Sequence, residues 1–179
     1  MNNTILLIAI CTILAVYVGY TTYESIKLYI DSNRKLDDFL KQEKHAEKIS
    51  GSPLWTVLCI VLAAGALVMS VLSGNINGAG SGEITYYRIA YVAISLLMVG
   101  LAFETIVRNR CYVIKDGFFY VDKKYRFRSI KSIEQKKGIF KKYQIVFNDS
   151  SVIEMSNKIG QELQNRKDQW RKDKKEKKK

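Results

Sequence analysis

The sequence predicts a membrane protein with three transmembrane α-helices and a cytoplasmic α+β domain. Three observations favour this fold class. Long stretches with almost no charge occur three times in residues 1–107, and each approaches the roughly 20 residues that cross a bilayer core. Lys and Arg are concentrated between and after these stretches. From residue 108 the apolar residues alternate with polar ones, which is typical of strands.

The apolar stretches are residues 5–20, 53–73 and 84–107. The first two carry no charge, and the third carries Arg88 near its start and Glu104 near its end. The initial MNNT lacks the positive charge that begins a signal peptide, so the first stretch is expected to remain as a helix within residues 1–23. The sequence thus predicts transmembrane helices over 1–23, 53–73 and 84–107.

The distribution of Lys and Arg predicts the orientation of these helices. Residues 24–52 hold six of them and residues 108–179 hold 22, while residues 1–4 and 74–83 hold none. Because cytoplasmic segments carry the excess of basic residues, we expect the N-terminus and a short 74–83 loop outside. Residues 24–52 and 108–179 are then cytoplasmic.

Residues 24–52 are predicted to form an amphipathic helix that extends the first span into the cytoplasm. Their apolar residues recur mostly every three or four positions, and six acidic residues balance the six basic ones. Such balanced charge argues against a lipid-binding face, so we expect this helix to pack on the C-terminal domain or on a partner. The run Gly51-Ser52-Pro53 ends it. The apolar residues are Ile26, Tyr29, Ile30, Leu36, Phe39, Leu40, Ala46 and Ile49.

Residues 108–165 read as about five strands followed by the start of a helix. A hairpin turn is predicted at Asp116-Gly117, and the next strand places Arg126 and Arg128 on one face. A helix is predicted from about Ser156, with Ser156 as its N-cap. Strands followed by a helix indicate an antiparallel sheet closed by that helix, and residues 166–179 form a basic tail.

This region resembles bacterial pleckstrin-homology-like (PH-like) domains that are attached to membrane spans. The resemblance covers the C-terminal ~65 residues and implies an antiparallel sheet or half-barrel with a closing helix. It also implies a scaffold or binding role at a bacterial cell membrane and no catalytic residues. The residues that carry it are Ile114, Asp116, Gly117 and Phe118, then Phe127, Ile130 and Ile133, then Ile145, Phe147 and Asp149.

Clusters of basic residues are the candidate contact sites for anionic lipid of the cytoplasmic leaflet or for a partner. Residues 108–179 hold 22 basic and nine acidic side chains, and each Lys or Arg near an anionic leaflet contributes about 1 kcal/mol of binding. The alternative without a binding role is that the positive charge only sets the membrane topology and the solubility of the protein. The candidates are Lys123, Lys124, Arg126 and Arg128 in one cluster and Lys136, Lys137, Lys141 and Lys142 in another.

No constellation predicts an enzyme, a cofactor or a metal site. His45 is the single histidine, and the spacings of nucleophile, zinc and phosphate-loop motifs are missing. Cys11, Cys59 and Cys111 are expected to be reduced packing residues. Nucleic acid is not an expected partner, because the basic residues lack an accompanying series of aromatic residues for stacking.

The charges at membrane depth have a structural and a functional interpretation. Arg88 can reach outer headgroups, and Glu104 and Arg108 have the i,i+4 spacing of a helical ion pair at the inner interface. A gating or transport role is the alternative, since such charges mark functional sites in membranes.

Three functions remain open at this level. The first is a scaffold or binding module for a membrane protein partner, for anionic lipid or for a second copy of the chain. The second is an immunity protein against a membrane-active bacteriocin or toxin. The third is an accessory subunit of a transporter or secretion complex.

Overall fold

The computed structural model describes residues 2–75, 81–136 and 141–176, and the side chains of 9–74, 84–136 and 141–176. These ranges contain four α-helices and two small antiparallel sheets. The helices are α1 (Asn2–Gln42), α2 (Leu54–Leu72), α3 (Ser81–Arg108) and α4 (Asn157–Glu176). The strands are β1 (Glu47–Ser50), β2 (Arg110–Ile114), β3 (Gly117–Tyr120), β4 (Lys123–Arg126), β5 (Ile130–Lys136), β6 (Lys142–Phe147) and β7 (Val152–Ser156).

The chain divides into two compact units, and α1 and α3 each contribute to both. Unit 1 comprises Met1–Tyr29 and Leu54–Thr105, and unit 2 comprises Ile30–Pro53 and Ile106–Lys179. Unit 1 is helical, whereas unit 2 holds both sheets, α4 and the second half of α1.

In unit 1, α3 lies against both other helices. The hydroxyl of Thr22 on α1 donates to the carbonyl of Leu96 at 3.1 Å. Close by, Gly100 allows α1 to approach, because a Cβ there would lie 3.2 Å from the Cα of Thr22. The hydroxyls of Thr56 on α2 and Thr105 are 3.1 Å apart.

Two helices in the described part of the chain, not the predicted three, are long and apolar enough to cross a membrane: Leu54–Leu72 and Ile84–Arg108. In each, only 22% of the most apolar window is buried. The predicted first span belongs to a 41-residue helix whose apolar run passes without a break into Thr21, Thr22 and Glu24. Among the side chains of α1 that the structure describes, from residue 9 onward, the apolar run gives way to polar residues at Thr21.

The helix predicted over 24–52 is correct in its first part and wrong at its end. α1 ends at Gln42, and residues 47–50 form β1. The second half of α1 packs on the four-stranded sheet through Leu36 and Phe39, with the rings of Phe39 and Phe119 stacked 5.0 Å apart. The expectation that this helix packs on the C-terminal domain is confirmed.

One sheet has the strand order β1-β2-β3-β4 and the other β5-β6-β7, all antiparallel. The β2–β3 hairpin pairs Ile114 with Gly117, so its two-residue loop is Lys115-Asp116, one residue earlier than predicted. The single strand predicted through Tyr125 and Ile130 is divided by a 3-10 turn, Phe127–Ser129, that leads from one sheet to the other.

The core of unit 2 draws on both sheets and on α4. Phe118, Ile145, Ile159 and Leu163 are fully buried in it. α4 contributes one apolar side, because Ile159 and Leu163 recur at a spacing of four residues. The prediction of an antiparallel α+β domain followed by a helix is confirmed.

Candidate functional site

The first predicted basic cluster lies on β4 and the 3-10 turn that follows it. Tyr125 points into the core, where its ring stacks on Phe118 and Phe147 at centroid distances of 5.3 and 4.9 Å. Because side chains alternate along a strand, Lys124 and Arg126 project from the opposite face. Lys124 forms an ion pair with Glu43 of α1 at 2.7 Å, so it is not available as a free charge.

The remaining basic residues of this stretch are exposed. Lys123, Arg126 and Arg128, together with Lys131 at the start of β5, form no ion pair with the described residues. We call these four residues the β4–β5 basic segment. Lys131 was missed by the sequence analysis, although it is visible there as the next basic residue after Arg128.

Buried neighbours hold the β4–β5 basic segment in place. Phe127 and Ile130 lie between its charged members and are almost fully buried. The amide of Phe127 donates to the carbonyl of Asp116 at 3.0 Å, and the amide of Asn148 donates to the carbonyl of Ser129 at 2.8 Å. The basic side chains are therefore displayed from a backbone that is tied to both sheets.

The second predicted cluster is neutralised in part by a carboxylate. Glu154 of β7 accepts a hydrogen bond from Lys136 at 2.9 Å and lies 3.6 Å from the ammonium of Lys142. The hydrogen bond from Lys136 and the two lysine charges hold the pKa of Glu154 below its ordinary value. Lys141 is exposed, and Lys137 lies outside the described residues.

The basic C-terminal stretch is a helix as far as Glu176, and its first residues stabilise unit 2. Arg166 forms ion pairs with Glu47 of β1 and with Glu162. Lys167 is 5% exposed and donates to the carbonyl of Ile130 at 3.1 Å. Trp170 lies 6.2 Å from Phe127 between ring centroids. These residues attach α4 to both sheets rather than forming a separate tail.

The three predicted interfacial charges all lie on α3. Arg88 is exposed, and its guanidinium lies against Gly74, where a Cβ would be 2.7 Å from Nη2. Glu104 and Arg108 both have interaction partners. Burial raises the pKa of Tyr120 to about 12, and the positive charge of Arg108 opposes this rise. The charge of Arg108 thus acts on Tyr120 of β3.

The described residues bring together no catalytic constellation. Cys111 is fully buried and burial raises the pKa of its thiol, which suppresses the reactive thiolate. Among the described residues no three His, Cys, Asp or Glu side chains are grouped to hold a metal ion. His45, just before β1, is exposed.

No family model matches this chain, and neither do the curated proteins or the solved structures with which it was compared.

Proposed function

We propose that this chain is a non-enzymatic binding module anchored in a bacterial cell membrane. Its PH-like domain would contact the anionic lipids of the cytoplasmic leaflet through the β4–β5 basic segment. The observation that carries this proposal is the difference between the basic clusters. Lys123, Arg126, Arg128 and Lys131 are exposed and without an ion pair among the described residues, whereas Lys136 and Lys142 share Glu154.

The exposed apolar surface of α2 and α3 supports the location in a membrane. A helix in the core of a soluble protein would be mostly buried, yet only 22% of either apolar window is buried. Leu54 and Val71 at the two ends of α2 are 75% and 76% exposed. A continuous apolar surface of this kind marks contact with lipid or with another protein.

The charge distribution supports a cytoplasmic position for unit 2. Residues 108–179 hold 22 of the 29 basic residues, as expected for the side of the membrane that retains Lys and Arg.

The architecture of unit 2 supports the PH-like resemblance. That resemblance implies an antiparallel sheet with a closing helix, and unit 2 has two antiparallel sheets and α4. Unit 2 also takes β1 and part of α1 from before the proposed spans. A fragment that begins at residue 108 would lack this strand, so experiments on the domain need the full chain.

Lipid retention by the full-length protein tests the proposal. The protein would be purified from its native membrane in mild detergent, and bound lipids and proteins would be identified by mass spectrometry. The test variant changes the β4–β5 basic segment to Gln at all four positions. Because each basic side chain contributes about 1 kcal/mol near an anionic surface, we expect the enrichment of anionic lipid to fall at least fivefold.

The matched control changes the paired lysines Lys124, Lys136 and Lys142 to Gln. Since Glu43 pairs with Lys124 and Glu154 is shared by Lys136 and Lys142, the control is expected to retain most of the anionic lipid. Equal lipid enrichment in the wild type and the segment variant would contradict the proposal. A stoichiometric protein that is lost only from the segment variant would instead make the segment a protein-docking site.

A further inference from the structure

An apolar groove runs between α1 and α3 in unit 1. Its volume is about 290 Å³, and its surface is almost entirely hydrocarbon apart from Arg88. It is separate from the β4–β5 basic segment, which belongs to unit 2. The groove is lined by Leu14, Ala15, Val18 and Gly19 of α1 and by Arg88, Ile89, Val92, Ala93 and Leu96 of α3.

The groove exists because α1 and α3 touch at one level and leave space at the next. They touch where Thr22 bonds to Leu96 and where Gly100 permits close approach. One turn earlier on α1, a Cβ placed on Gly19 would meet no atom within 4 Å. The side chain that would fill this space between the helices is therefore missing at Gly19.

One positive charge lies among the lining residues. Arg88 precedes Ile89 at one end of the α3 segment that lines the groove. It is exposed, its guanidinium lies beside Gly74, and it forms no ion pair with the described residues. An arginine beside an apolar surface lays its stem on that surface and directs its guanidinium toward a polar partner. A phosphate is the partner that this planar group binds through two hydrogen bonds.

We propose that this groove holds one acyl chain of an anionic phospholipid whose phosphate pairs with Arg88. The residues from Ile89 to Leu96 cover about 12 Å of α3 at about 1.5 Å per residue, a length along which an acyl chain can lie against the hydrocarbon lining. Arg88 at one end of this length supplies the charge for a phosphate, whereas the rest of the lining suits the apolar chain.

This inference rests on the membrane location proposed above, and lipid binding by variants of unit 1 tests it. The full-length protein would be reconstituted in nanodiscs containing equal amounts of phosphatidylglycerol and phosphatidylcholine, then released and examined by native mass spectrometry. Gly19→Leu fills the groove, and Arg88→Gln removes the charge while leaving the groove open. Gly65→Leu is the matched control, because Gly65 on α2 also has open space around its Cβ and does not line the groove.

We expect the wild type to retain one lipid with about a fivefold preference for phosphatidylglycerol, as one arginine near a headgroup provides. Gly19→Leu should lose that lipid, and Arg88→Gln should keep a lipid but lose the preference. If Gly19→Leu retains as much lipid as Gly65→Leu, or if Arg88→Gln keeps the preference, the groove is not the site. Helical content by circular dichroism verifies that each variant is folded.

The two proposals fail in different ways. If the wild-type chain is released from native membranes by alkaline extraction, the membrane location is wrong and both proposals fall. If the chain stays in the membrane and the groove variants bind lipid as the wild type does, only the groove is excluded. The effect of the β4–β5 basic segment would then be unchanged.

Discussion

Replacing Gly160 by Ala tests how α4 is packed on the sheets. In most helices this change stabilises the protein by about 1 kcal/mol, because Gly is the weaker helix former. Here a Cβ on Gly160 would lie 2.2 Å from the Cβ and 2.3 Å from the Cγ of Tyr143 on β6. The nearest atom is attached to the strand backbone and cannot rotate away, so either α4 or β6 must shift.

The expected change in the free energy of unfolding of Gly160→Ala is the sum of two opposing contributions. Overpacking a tight contact costs about 1–3 kcal/mol, and an overlap of more than 1 Å with a fixed atom belongs at the upper end of that range. After the gain in helix propensity is subtracted, the free energy of unfolding should fall by about 1.5 kcal/mol. With a urea dependence of about 2 kcal/mol per molar for a unit of this size, the midpoint falls by roughly 0.7 M.

The assay is urea unfolding of the full-length protein in mild detergent, followed by the fluorescence of Trp170. Trp55 would be changed to Phe so that Trp170, which packs near Phe127, reports on unit 2 alone. The control is Asn165→Ala on an exposed part of α4, which should stabilise by a few tenths of a kcal/mol. If Gly160→Ala is as stable as the control, α4 does not pack on Tyr143 as described.

Two further substitutions in unit 2, at Ser150 and at Lys167, test its stability and the dependence of that stability on pH. Ser150 has a φ of 64° in the exposed turn between β6 and β7, so Ser150→Gly should stabilise by about 0.5–1 kcal/mol in the same urea assay, and a loss of stability would contradict this. Burial first, and the charge of Arg171 second, lower the pKa of Lys167 from 10.5. Between the lowered pKa of the folded state and 10.5, the unfolded chain therefore binds more protons than the folded one, and the stability due to this group rises with pH in that range. Urea midpoints at pH 8 and 10 should show a larger rise for the wild type than for Lys167→Met, and equal rises would refute the assignment.

The parts of the fold that depend on local pattern were predictable. The apolar stretches of α2 and α3 can be recognised from composition alone. The turn near Gly117 can be recognised from the dipeptide Asp116-Gly117. The strands of residues 110–156 follow from alternation, although their ends moved by a few residues. The second half of α1 followed from its spacing of apolar residues. Its balanced charge argued against a lipid-binding face but left open whether it packs on the C-terminal domain or on a partner.

The parts that depend on pairing across the sequence were not predictable. Glu47 to Ser50 read as the end of a helix because Ile49 follows Ala46 at helical spacing, yet β1 pairs with β2 some 60 residues later. The pairing of the basic clusters with carboxylates was not predictable for the same reason, because it also depends on contacts between distant strands. Glu154 reaches Lys136 across β6 in the observed register, and that register depends on the pairing of three strands and on the turns that join them.

Amide hydrogen exchange of the full-length protein in nanodiscs that differ only in lipid charge shows whether the β4–β5 basic segment contacts anionic headgroups. One set would contain phosphatidylcholine alone and the other 30% phosphatidylglycerol. If the β4–β5 basic segment contacts anionic headgroups, exchange across residues 123–131 should be slower in the charged discs. Strand β6, where Lys142 lies 3.6 Å from Glu154, should exchange equally in both. Equal exchange of residues 123–131 in the two sets of discs would mean that the segment does not contact the headgroups.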